Sequence, residues 1–176
     1  MPILKIFFKK LKCYKNIKQL ISDGNYFRIT KMTTGAKNIV IPGTSEINLS
    51  PIGFFRYAKE FYSASESYKP GDGFSPVRYY LYCHSLELLF KAYLLTHGVT
   101  KDLLKSKKYG HNLSTVLSES KKLGIGNILK ISKEEEQNVE LANDYYNKKG
   151  FEYFYVVPAV TGYKDLPELY SERVKI

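Results

Sequence analysis

Between residues 50 and 150 the apolar positions recur in steps of three and four, which is the period of helices that bury one face. Ser50-Pro51 supplies a capping side chain and a proline at the first helical position. Phe54/Phe55, Tyr57/Ala58, Phe61/Tyr62 and Ala64/Ser65 follow as far as Tyr68, and Lys69-Pro70-Gly71-Asp72-Gly73 stops that helix. Ser75-Pro76 repeats the same start signal. The second helix then runs through Val77, Tyr80/Leu81, His84, Leu88/Leu89, Ala92 and Leu95 to His97-Gly98. Its other faces carry Tyr79, Tyr82, Leu86, Phe90, Tyr93 and Leu94, so it is apolar nearly all round and belongs at the centre of a helical domain. Gly98 suits the left-handed position beyond a helix end.

A short turn of helix is expected over residues 100–106, with Thr100 as its cap, and Lys107-Lys108-Tyr109-Gly110 breaks it. His111-Asn112 opens a third amphipathic helix with Leu113, Val116/Leu117 and Leu123 on one side, closed by Gly124-Ile125-Gly126. Ser132 with Glu135 three residues on is a capping-box signature, and Glu134, Glu135 and Glu136 put negative charge at the positive end of a fourth helix. That helix continues through Val139, Leu141/Ala142 and Tyr145/Tyr146 to Lys148-Lys149-Gly150. Four helices with short connections predict an all-α, up-and-down four-helix bundle over residues 49–155.

The flanks read differently. Residues 1–48 form a basic N-terminal extension. Within it, residues 3–21 fit an amphipathic helix, with a short strand over residues 3–8 as the competing reading. Residues 26–31 and 38–41 resemble two short strands of a β-hairpin. Residues 151–157 are an extended aromatic run closed by Pro158. The C-terminal tail, residues 156–176, holds one short helix expected over 165–172.

Charge adds a partner class. The net charge is +10, and residues 1–50 alone carry 9 Lys/Arg against 2 Asp/Glu, a net +7. Such asymmetry suits a polyanion, while a merely solvated lysine-rich surface is the plainer alternative. No stretch approaches the ~18–20 uninterrupted apolar residues that span a bilayer. Lysines interrupt the N-terminal apolar residues too often for a signal-peptide core. Cys13 and Cys83 make no disulfide framework, and Cys83 falls in an apolar helical run, so a cytoplasmic setting is expected. Residues 1–21 lying on an anionic membrane rank below the same apolar stripe docking on the bundle.

No motif dictates a chemistry. The three His and two Cys are scattered without zinc spacing, and there is no Gly-rich phosphate loop or serine elbow, so neither metal nor cofactor is expected. The informative polar residues lie on the second helix. His84, Glu87 and Lys91 stand at i, i+3 and i+7 and share one face, with Glu87 and Lys91 in the favourable acid-before-base order. Such a seam needs partners, because burying a lone charge is costly. Either Glu87 and Lys91 pair structurally, or the seam lines a functional cleft. His111, at a helix start, either orients its turn by bonding to a nearby helix or binds a ligand.

Arg78 precedes His84 by six positions, which on a regular helix leaves the side chains about 120° apart. They converge only if the helix begins irregularly or a dimer partner completes the site. Chemically the pair suits RNA cleavage: histidine exchanges a proton near neutral pH and arginine stabilises phosphate charge.

Three segments resemble the HEPN family of small helical bundles. One is Tyr82-Cys83-His84-Ser85-Leu86-Glu87-Leu88-Leu89-Phe90-Lys91-Ala92-Tyr93-Leu94-Leu95, similar to the family's glutamate followed by Lys-Ala. Another is Gly110-His111-Asn112-Leu113, with Asn112 where the family usually has Asp. A fainter third runs from Asn143-Asp144-Tyr145-Tyr146 to Phe151-Glu152-Tyr153. The resemblance covers residues 49–155. It implies a module, often homodimeric, that binds RNA, a nucleotide or a partner protein, or else an RNase acting as a toxin or stress effector. Catalytic members carry an arginine and a histidine four to six residues apart. Arg78 and His84 have that spacing, but on the second helix, whereas the family's pair sits late in a later one. This departure favours a non-catalytic member.

Overall fold

The computed structural model describes residues 50–69 and 74–153, together with Leu166. The elements expected in residues 1–48 and the short helix over 165–172 lie outside the described residues, apart from Leu166, which is buried. The described residues are helical: α1 (Pro51–Ser67), α2 (Pro76–Thr96), α3 (Lys101–Lys105), α4 (Leu113–Lys122), a 3-10 turn (Ile125–Asn127) and α5 (Lys133–Tyr146). None of these helices is long and apolar enough to cross a membrane.

Each start is built as the sequence predicts. The Ser50 and Ser75 side chains accept from Gly53 N at 3.1 Å and Arg78 N at 3.3 Å, with a proline following each cap. Thr100 and Asn112 cap α3 and α4 in the same way. At α5 both arms of the capping box form, Ser132 N to Glu135 Oε2 at 2.6 Å and Glu135 N to Ser132 Oγ at 3.2 Å. Each cap satisfies a backbone donor the first turn leaves open, worth about 1 kcal/mol.

α2 is the central element: 14 of its 21 residues are buried, including Phe90 and Leu94 at 0% exposure, so water reaches only a narrow strip of it. α1 packs most extensively against it. The two helices approach closely where Ala58 meets Ser85, whose hydroxyl donates to the Ala58 carbonyl at 2.5 Å. Both residues are almost fully buried, and a larger side chain at either position would force the helices apart. Cys83 is a buried free thiol pushed to a high pKa by burial and by the Glu87 charge, so it behaves as a small apolar residue.

The ends of α4 and α5 position the site. Leu113 N, in the first turn of α4, donates to Asn143 Oδ1 of α5 at 2.7 Å, tying the two helices together. α5 ends at Tyr146, before the expected Lys148-Lys149-Gly150. Lys149 itself takes the left-handed conformation (φ 59°), and Gly150 N bonds back to Tyr145 O at 2.7 Å. A Cβ on Gly150 would stand 3.0 Å from that carbonyl, so the position needs glycine for close approach rather than for its φ.

Candidate functional site: a buried carboxylate shared by two histidines

Glu87 lies mid-way along α2 and is 3% exposed. A carboxylate that deep must have each oxygen satisfied. Oε1 accepts from Lys91 Nζ at 2.5 Å, one helical turn on. Oε2 accepts from the Tyr146 hydroxyl at 2.5 Å and from His111 Nδ1 at 3.2 Å. His84 Nδ1 stands 3.6 Å from the same oxygen and 2.9 Å from the Tyr146 hydroxyl oxygen.

These distances fix the protons. An ionised carboxylate only accepts, so the Tyr146 hydroxyl donates to Glu87 and its oxygen is left to accept from His84 Nδ1–H. His111 Nδ1–H donates to Glu87 directly. Both imidazoles thus present their protonated Nδ1 inward, and neither Nε2 has a partner among the described residues. The rings lie 6.5 Å apart, centroid to centroid. His84 is held by Tyr80, stacked at 5.6 Å and nearly parallel, and by Phe61 edge-on at 4.4 Å. His111 meets the Tyr146 ring edge-on at 5.5 Å.

The electrostatics follow from the same contacts. Burial alone would raise the Glu87 pKa, but the hydrogen bond from His111, the nearby His84 imidazole and the Lys91 ammonium outweigh it and hold the carboxyl well below its usual range. The His111 pKa is raised, chiefly by its hydrogen bond to Glu87, with burial opposing and the Glu87 and Glu152 charges helping. Tyr146 is pushed far up by burial and then by the Glu87 charge, so it stays a neutral donor.

His111 reaches Glu87 through an unusual backbone conformation. Its φ is 51°, in the left-handed region that side-chain-bearing residues rarely adopt. The preceding turn closes through Gly110 N to Ser106 O at 2.8 Å, and the Asn112 cap follows at once. The chain therefore reverses sharply at His111 and turns its ring onto α2. Strain of about 1–3 kcal/mol at such a residue persists only where surrounding contacts hold it.

Four of the five residues singled out from the sequence meet here: His84, Glu87, Lys91 and His111. Arg78 takes another place. It is 7% exposed, and its Nη2 donates to the Tyr68 carbonyl at 2.5 Å, just past the end of α1. α2 is helical from Pro76 onward, so six positions separate Arg78 from His84 by a rise of about 9 Å as well as by angle. Tyr146 is the member that sequence reasoning missed. The signal was the stripe Val139, Ala142/Asn143, Tyr146, whose spacing buries Tyr146 fully and leaves Tyr145 half-buried at the edge of the core.

No protein-family model, curated protein or solved structure matches this chain.

Proposed function

We propose that this chain is a HEPN-like up-and-down four-helix module that binds RNA or a nucleotide at the histidine pair without cleaving it. The observation that carries this reading is the pair itself. Two partly exposed imidazoles are held by their Nδ1 atoms against one buried carboxylate–phenol unit, which leaves both Nε2 atoms without a partner among the described residues; once protonated there, each imidazolium donates to a ligand's phosphate oxygens. Oriented imidazoles of this kind lose little freedom on binding. The basic excess of residues 1–50 adds long-range attraction for the same ligand. A non-catalytic role is supported by Arg78, whose guanidinium holds the Tyr68 carbonyl instead of a place beside His84.

The test is fluorescence-anisotropy binding of a short single-stranded RNA and of ATP over a range of salt. RNA affinity that falls steeply with salt, and weakens about tenfold or more in His84→Ala and His111→Ala, is the expected result. Binding that ignores both substitutions sinks the reading and leaves a partner protein as the ligand class.

The second reading is metal-independent RNA cleavage, and what favours it is the His84–His111 pair rather than Arg78 with His84. One imidazole would take the proton of a ribose 2′-hydroxyl as it attacks phosphorus. The other would protonate the departing 5′-oxygen, leaving a 2′,3′-cyclic phosphate. Incubation of RNA in EDTA with wild type and with His84→Ala separates the readings: equal, background-level products in both end it.

A further inference from the structure

The inner side of the histidine pair has a geometry of its own. His84 Nδ1, His111 Nδ1, Glu87 Oε2 and the Tyr146 hydroxyl oxygen surround one small space. Five of the six edges of that four-atom cage measure 2.9 Å (His84 to Tyr146), 3.4 Å (His111 to Tyr146), 3.2 Å (His111 to Glu87), 3.6 Å (His84 to Glu87) and 2.5 Å (Tyr146 to Glu87). One donor atom from each of His84, Glu87 and His111 lies within 4.8 Å of the other two. A tetrahedral site with metal–ligand bonds of about 2.0–2.1 Å has edges of about 3.3–3.4 Å. Three of the five measured edges fall within roughly 0.3 Å of that, and the shortest is the one now bridged by a proton.

We propose that this cage is a binding site for a divalent transition-metal ion of the zinc class, with two imidazole nitrogens, one carboxylate oxygen and the Tyr146 oxygen as its ligands. The donor set is two nitrogens and two oxygens, which suits Zn²⁺ and Co²⁺ and argues against the all-oxygen preference of Mg²⁺ or Ca²⁺. Lys91 is placed as a supporting residue: by holding Oε1 at 2.5 Å it turns Oε2 toward the cage, the role outer hydrogen bonds commonly play around a metal. Binding displaces the protons now filling the cage. Each neutral imidazole moves its proton from Nδ1 to Nε2, so neither loses one overall. The Tyr146 hydroxyl proton passes to solvent as the oxygen becomes a ligand. His84 and His111 side chains are 20% and 38% exposed, which gives the ion a route in. The sequence shows no zinc spacing because the ligands come from three separate segments, α2, the turn before α4, and the end of α5.

This proposal does not depend on the RNA or nucleotide reading, and its test uses the metal alone. The full-length, untagged chain, stripped of metal, is titrated with Zn²⁺ by calorimetry and with Co²⁺ by visible absorption. The expected result is one ion per chain and the intense d–d bands of four-coordinate Co²⁺. His84→Ala and His111→Ala should each weaken Zn²⁺ binding about tenfold or more. His97→Ala, an exposed imidazole elsewhere, should leave it unchanged. Tyr146→Phe should keep an ion but change the Co²⁺ spectrum. Glu87→Gln can fail to fold because Lys91 loses its partner, so the test rests on the two partly exposed histidines, with far-UV circular dichroism confirming that each variant is folded. Absence of Zn²⁺ binding, or equal affinity in wild type and the His84→Ala/His111→Ala double variant, overturns the proposal.

Discussion

α2 buries two cations, Arg78 near its start and Lys91 further along, each 7% exposed, and uses them in opposite ways. Arg78 reaches across to a main-chain carbonyl, that of Tyr68, where the chain has just left α1. That contact is to an uncharged main-chain group, and it ties the two helices together. Lys91 reaches back one turn to Glu87, and the pair is neutral. Neutrality at Oε1 lets Oε2 collect a phenol and an imidazole from two other segments. One buried cation therefore closes a connection, while the other sets the charge on which a site is assembled. The same helix periodicity places both, and only the neighbours differ.

Removing Lys91 should have the largest effect. Lys91→Met keeps the buried stem and deletes the charge, leaving Glu87 ionised at 3% exposure without its cation. Breaking a buried pair from one side costs about 3–5 kcal/mol. Urea denaturation should show the midpoint fall accordingly, and Glu87→Gln/Lys91→Met should recover part of the loss because no lone charge remains. A double variant no more stable than Lys91→Met would mean the cost lies in packing, and the contrast with Arg78 would dissolve. Arg78→Met should cost less, about 1.5–3 kcal/mol, the range for hydrogen bonds that involve a charged group. Its signature is location: hydrogen exchange should speed up around Tyr68 and the start of α2 while the Glu87 network stays protected. Loss of protection at His111 and Tyr146 instead would show that Arg78 supports the site.

The helices were legible because their signals are local. Ser-Pro starts, the Ser132–Glu135 box, Gly98 beyond α2 and the all-round apolar character of α2 each act over a few residues, and each takes its expected place. The Glu87–Lys91 pair was legible for the same reason, being one helical turn. The end of α5 was not. A lysine in the left-handed region at Lys149 and a glycine kept for close approach at Gly150 depend on how the chain folds back over Tyr145. The convergence on Glu87 was legible only in half. His111 reaches it across 24 positions through a strained backbone, and Tyr146 across 59, and no periodicity reports distances of that kind. The stripe ending in Tyr146 shows that its hydroxyl is buried without saying what it meets.

The smallest effect, and the one that separates the two cations most cleanly, is in pH. The contact of the Arg78 side chain with the Tyr68 carbonyl involves no histidine, so it should be indifferent across neutral pH. The Lys91–Glu87 unit is joined to a titrating ring. The His111 pKa is raised, first by its hydrogen bond to Glu87 and further by the Glu87 and Glu152 charges, against opposition from burial and Lys91. A group whose folded-state pKa lies above its unfolded value binds the proton more tightly when folded. Its stabilisation is therefore complete below the ordinary histidine range, about pH 6.5, and is lost as pH rises through the raised value. With 38% of its side chain exposed, His111 is screened by solvent, so the loss should be that of an exposed pair, about 0.2–1 kcal/mol. Thermal unfolding of the metal-free chain from about pH 6 to about pH 8 should show this decline in wild type and in Arg78→Met, and a flatter profile in His111→Ala. A wild-type profile that is flat or rises would mean that Glu87 does not hold the His111 proton, and the tautomers assigned to the site would have to be reversed.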